Sequence, residues 1–118
     1  MFAFKNRYYL LIENTKDIQL NNTNLTNKFT IIYRNNKKPE NINDLLRFRK
    51  ICKSKRIEFF VANNVKLLHI TRADGLYISA NNRNLNLSIL KKSNYKIIGS
   101  FHNLKELNIK TLQGCSEY

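Results

Sequence analysis

At 118 residues the chain is one domain at most, long enough for a real core and short for a large fold. With 42% hydrophobic and 25% charged residues it has the composition of a globular protein, not of a disordered one. The formal net charge of +13 admits two readings: a polyanion-binding surface, or the joint abundance of Lys, Asn and Ile that A/T-rich coding sequence produces. The basic residues are scattered and no zinc-finger or helix-turn-helix signature accompanies them, so nucleic acid is not taken as the main partner. No apolar run approaches the roughly 18 residues of a membrane span. The opening MFAFKNRYYLLIEN has too short an apolar core, and no small-residue cleavage site, for a signal peptide. Cys52 and Cys115 lack C-x-x-C or Cys/His ligand spacing and read as free thiols in a reducing cytoplasm.

In chain order, Tyr8–Ile12 (YYLLI) reads as a first strand. Glu13 to Asn27 is polar and asparagine-rich, a loop or a poor helix. Phe29–Tyr33 (FTIIY) is a second strand, and Arg34 to Pro39 forms the loop that follows it. Asp44 to Arg56 is the clearest helix: Leu45, Phe48, Ile51 and Cys52 share one face, and Arg49, Lys50, Lys53 and Arg56 the other. That basic face is read as solvated, with phosphate docking as the alternative. Glu58–Ala62 (EFFVA) is a third strand and Val65 to Ile70 a short helix that holds His69 in a structural role. Leu76–Ile78 is a fourth strand, Leu85 to Lys92 a helix, and Tyr95–Gly99 a fifth strand. Ser100-Phe101-His102 then supplies a hydroxyl and an imidazole, and Asn103 caps a last helix with Glu106 at its third position. Leu104, Leu107 and Thr111 would line that helix's apolar face, and Gly114 would close it.

Strands alternate with helices and no tight hairpin turn joins two of them, which predicts a parallel α/β sheet with right-handed crossovers. In such folds chemistry gathers at the C-terminal ends of the strands. Those ends carry Arg34, then Asn63 and Asn64, then Ser79 to Asn82, then Ser100 and His102. The alternative is that loops are polar wherever they occur.

The same residues resemble the thiamine phosphate synthase and thiazole tautomerase (TenI) superfamily, from about Tyr9 to Tyr118. FTIIYRNN resembles the family's Q-x-R-x-K segment and keeps Arg34; FFVANNVKLL resembles F-I-x-N-D-x-x-x-L-A. ADGLYISANN resembles A-D-G-[VI]-H-[LI]-G-Q-x-D. IIGSFHNLKEL resembles I-[IL]-G-x-S-x-H-x-x-x-E, one residue shorter between Gly99 and Ser100, and QGCSEY resembles the following G-A-D-Y. The resemblance implies a TIM barrel, a cytoplasmic location and a role in thiamine biosynthesis. The family reaction condenses hydroxymethylpyrimidine diphosphate with thiazole phosphate and releases pyrophosphate.

The departures fall in the chemistry. In the family, magnesium is carried by two aspartates whose positions are Asn63 and Asn82 in this chain. Two neutral amides remove the carboxylates a hard cation prefers, so no metal ligand is assigned. Asp74 precedes its strand and cannot substitute. The family lysine after the second strand is Asn36, with Lys37 or Lys38 near enough to replace it, and the family histidine of the A-D-G motif is Tyr77. The resemblance leaves Arg34, Lys37, Asn63, Asn82 and Ser100 as candidates for holding a phosphorylated pyrimidine or thiazole, and His102 with Ser100 as candidate catalytic groups. An imidazole suits general acid–base work, so a tautomerase-like proton-transfer enzyme using His102 is one alternative. A non-catalytic binder of phosphate ligands or polyanions is another.

A complete barrel has eight strands and about 250 residues. The sequence accounts for about five βα units and the start of a sixth strand. The expectation is therefore an incomplete barrel over residues 1–118: a fragment, a truncated gene, or a domain that a partner or a second copy completes at its open sheet edges.

Overall fold

The structure is a computed structural model and describes residues 8–20, 28–36, 38–84, 87 and 95–115. Its elements are β1 (Tyr8–Ile12), β2 (Phe29–Tyr33), α1 (Ile42–Ser54), β3 (Glu58–Ala62), α2 (Val65–Thr71), β4 (Gly75–Ile78), β5 (Lys96–Gly99) and α3 (Leu104–Leu112). The strands form one five-stranded parallel sheet in the order β1-β2-β3-β4-β5, as the alternation of strands and helices predicts. The helix expected over Leu85 to Lys92 lies outside the described residues, apart from a buried Leu87. None of the described helices is long and apolar enough to cross a membrane. Two compact units are distinguished, Met1–Phe60 and Val61–Tyr118.

In the first unit β1 and β2 run parallel, in register from Tyr8↔Phe29 to Ile12↔Tyr33. The polar stretch after β1 begins with a 3₁₀ turn, Thr15–Asp17, capped by Asn14 and closed by Asp17 accepting from the Asn14 N–H at 3.1 Å. Helix α1 starts two residues before the predicted point because Asn41 supplies the cap, its side chain accepting from the Asn43 N–H at 2.8 Å. Leu45, Phe48 and Cys52 are its buried residues, as their spacing requires. Phe48 packs against Phe59 of β3 with ring centroids 5.9 Å apart, and Phe59 meets Tyr33 at 6.3 Å. Arg49 is half-buried, and Lys50, Lys53 and Arg56 are exposed.

Glu40 organises the loops of this unit. Its carboxylate accepts from the Thr15 N–H at 3.1 Å, from the Thr15 hydroxyl, and from the Tyr33 hydroxyl at 2.9 Å. Asn35 Nδ2 in turn donates to Tyr33 Oη at 3.1 Å and to the Lys38 carbonyl at 3.0 Å. One carboxylate thus ties the turn after β1 to the end of β2.

In the second unit β4 and β5 run parallel, in register from Gly75↔Lys96 to Ile78↔Gly99. Asn64 caps α2 by accepting from the Leu67 N–H at 2.9 Å, and Arg72 ends it in the left-handed region. His69 is exposed on α2 and meets Tyr95, its Nδ1 3.1 Å from the phenol oxygen and the rings edge to face. Asn103 caps α3 as predicted, accepting from the Glu106 N–H at 2.9 Å, and Gly114 closes it at φ 93°.

The buried face of α3 differs from the expected one. Leu104 is 76% exposed, Leu107 is half-buried and Thr111 is exposed, whereas Lys110 is 0% exposed. The reason lies at the end of β5. A Cβ added to Gly99 would come 2.8 Å from Lys110 Cδ and 2.5 Å from Cys115 Sγ, so the missing side chain leaves the room in which the lysine stem lies. Burial pushes the Cys115 thiol up to about 11, an effect that nearby Lys110 opposes.

Tyr33 is 3% exposed, and its pKa is pushed up to about 12, mainly by burial and further by Glu40, with the Asn35 hydrogen bond opposing. Below pH 10 both folded and unfolded chains hold the phenol proton, and the stabilisation is complete. As pH rises through 10 to 12 the unfolded chain ionises first, and that stabilisation is lost. Alkaline unfolding is expected to show a loss on the order of 2 kcal/mol across this window, absent from Tyr33→Phe. Identical alkaline slopes for the two proteins would refute it.

Candidate functional site

The candidate site lies in the second unit, where β3, β4 and β5 end. Strand β3 stops at Ala62, and Asn63 turns into the left-handed region at φ 58°. Asparagine enters that region more readily than most residues. The Asn63 N–H still donates to the Tyr77 carbonyl at 2.8 Å, and its side chain reaches the loop after β4. There Asn63 Oδ1 accepts from the Ser79 N–H at 3.0 Å and from Asn82 Nδ2 at 2.9 Å. Asn63 Nδ2 donates to Ser79 Oγ at 3.1 Å, and Ser79 Oγ donates to Asn81 Oδ1 at 2.7 Å. Asn82 Oδ1 accepts from the Asn84 N–H at 3.1 Å.

The loop is held from the other side by α3. Lys110 Nζ donates to the Asn82 carbonyl at 2.6 Å and to Gln113 Oε1 at 2.8 Å. Gln113 Nε2 donates to the carbonyls of Asn82 at 2.9 Å and Asn84 at 3.0 Å. Both side chains are fully buried. Burial holds the Lys110 amine below its ordinary range, while Cys115 and Glu106 push it back up and Arg83 pushes it further down.

Two further pairs stand at the end of β5. The Ser100 N–H donates to the Ile78 carbonyl at 3.1 Å, and Ser100 Oγ accepts from the Tyr77 hydroxyl at 3.0 Å. The His102 N–H donates to Glu106 Oε1 at 2.6 Å, and the His102 Nδ1 lies 3.3 Å from the same oxygen, with the ring 80% exposed. Glu106 therefore orients the imidazole as well as completing the start of α3.

Of the residues the sequence singles out, Asn63 and Asn82 are in direct contact, and Ser79 and Asn81 belong to the same network. Ser100 and His102 flank the end of β5 with partners of their own. Arg34 belongs to the first unit, where its backbone N–H donates to the Ile12 carbonyl at 2.8 Å and its buried Nε has no hydrogen-bond partner among the described residues. Lys37 lies outside the described residues. Lys110 and Gln113 escaped the sequence reading. Their signal is a polar stripe, Glu106, Lys110 and Gln113, at four- and three-residue spacing along one helix face.

The donor set does not fit magnesium. A hard dication needs oxygen lone pairs in near-octahedral array, usually with carboxylates among them. Asn82 turns a nitrogen donor toward Asn63 Oδ1, and both lone pairs of that oxygen are already engaged. The amide hydrogen bond joins the two positions directly. What the rim offers a ligand is hydrogen-bond donors, a hydroxyl pair and a carboxylate-oriented imidazole.

No family model and no curated protein matches the sequence. Among solved structures, the chain is similar to a thiamine phosphate pyrophosphorylase from Pyrococcus furiosus, with a TM-score of 0.67 at 15% identity. The match covers 94% of this chain and 57% of that one, so the chain spans a little over half the length of the protein it resembles. At this identity the likeness is one of fold. It agrees with the fold that the sequence motifs imply, an α/β parallel sheet compatible with an incomplete TIM barrel.

Proposed function

We propose that the chain is a divergent thiamine phosphate synthase/TenI-like protein of thiamine biosynthesis. In this reading it binds a phosphorylated pyrimidine or thiazole without a metal, at the ends of β3, β4 and β5. The observation that carries the reading is the 2.9 Å hydrogen bond from Asn82 Nδ2 to Asn63 Oδ1 at the positions where the resemblance places magnesium ligands. With that bond in place, two carboxylates and a dication are exchanged for a neutral, self-satisfied pair, and the ligand's phosphate meets donors instead of a metal. Asn63 and Asn82 shape the rim, and Ser100 and the exposed Asn81 face the ligand. A cytoplasmic location fits the two buried free thiols, Cys52 and Cys115.

Titration calorimetry with thiazole phosphate and with hydroxymethylpyrimidine diphosphate, in magnesium and in chelator, tests this. Equal affinities in the two buffers are expected. A gain of about tenfold in magnesium, or about 1.4 kcal/mol, would contradict the metal-free reading.

The pairing of His102 with Glu106 favours a second reading, proton transfer on a thiazole. An imidazole held beside a carboxylate has the geometry of a general acid–base. On this reading His102→Ala slows thiazole isomerisation by about 100-fold or more. Equal rates in the two proteins would end it.

A further inference from the structure

Lys110 is fully buried, yet its ammonium is held only by neutral oxygens, the Asn82 carbonyl and Gln113 Oε1. Among the described residues no carboxylate forms an ion pair with it. Burying a charge without an opposite partner is costly, and fully hydrogen-bonded acceptors offset only part of the cost. A stem of the same length without the charge would fill the same space. What the charge adds is a positive field under the loop it supports, from an amine shielded from direct contact with water.

The geometry gives that field a direction. Lys110 and Gln113 both donate to the Asn82 carbonyl, at 2.6 and 2.9 Å. The peptide is trans, so the N–H that follows, that of Arg83, points to the opposite side. Two donors on one carbonyl polarise the peptide and strengthen that N–H as a donor. The Arg83 N–H has no hydrogen-bond partner among the described residues, and the Arg83 side chain is exposed. One short loop thus has a buried cation on its carbonyl side, a polarised N–H on the opposite side, and an exposed arginine at the residue that carries that N–H.

We infer that the loop from Asn82 to Asn84 is an anion subsite that takes a phosphate group of the ligand, with Arg83 as the contacting residue and Lys110 as a positioning residue acting through the Asn82 peptide. The inference rests on the phosphate-ligand reading above and names where the charge of that ligand goes. The charged and titratable groups around Lys110 are Cys115 on the segment after α3, Glu106 on α3 itself and Arg83 on the loop; with Lys110 counted, two cations stand against one carboxylate.

Inorganic pyrophosphate is the probe, titrated at low and at raised salt into the wild type, Lys110→Met, Arg83→Ala and Gln113→Met, with unfolding midpoints measured in parallel. Lys110→Met should weaken binding about tenfold at both salt levels, because a buried charge is little screened. Arg83→Ala should weaken it by a similar factor at low salt and far less at high salt. Gln113→Met releases the loop but keeps the charge, and should cost clearly less affinity than Lys110→Met. Lys110→Gln, neutral but still hydrogen-bonding, serves if the methionine variant does not fold. Unchanged binding by both neutral variants, or an equal loss in Gln113→Met, would overturn the role of Lys110 and leave the phosphate reading standing. No binding of pyrophosphate by the wild type would overturn the phosphate reading and this inference with it.

Discussion

A carboxamide donating to a carboxamide, Asn82 to Asn63, is the interaction on which the geometry of the second unit's rim depends. Each asparagine is fixed by a different constraint. Asn63 is held by its left-handed turn after β3 and by the Ser79 N–H, and Asn82 by its Asx contact with the Asn84 N–H and by two donors from α3. Neither side chain can rotate away without leaving polar groups unpaired, which costs more than the bond itself contributes. Two acceptors at this separation would repel. Two amides attract, because one of them carries the donor.

The same loop explains an otherwise wasteful feature of α3. A helix that leaves Leu104 and Leu112 in solvent while burying Lys110 inverts the usual order of side chains. The inversion is local and has a cause. Gly99 leaves space for a long unbranched stem, and the Asn82 carbonyl and Gln113 amide give its amine acceptors. Natural proteins tend to keep such costly groups where function needs them, and Lys110 lies beneath the loop that carries Asn82.

Much of the fold was legible in the sequence because its elements are punctuated by residues with one physical use. Asn103 caps α3 and Gly114 ends it, and the short β-rich runs FTIIY and EFFVA form strands at the bounds their composition gives, whereas the caps Asn41 and Asn64 emerge only from the structure. The contact of Asn63 with Asn82 was foreshadowed only as two positions on one rim. Periodicity could not reveal the face of α3, because a buried lysine and an exposed leucine each break the rule on which periodicity rests. Nor could it reveal Glu40, whose partners Thr15 and Tyr33 stand 25 and 7 residues away and are joined only by the tertiary fold.

The central proposal is that an amide hydrogen bond between Asn63 and Asn82 holds this rim without a metal. Thermal unfolding of the Asn63→Asp/Asn82→Asp double variant, with and without millimolar magnesium, tests it most directly. The account predicts that the double variant melts at least about 4 °C below the wild type in chelator and recovers that loss in magnesium, since binding to the folded state alone raises stability. It predicts no response of the wild type to magnesium. A wild-type midpoint that rises with magnesium, or a double variant as stable as the wild type in chelator, would contradict it.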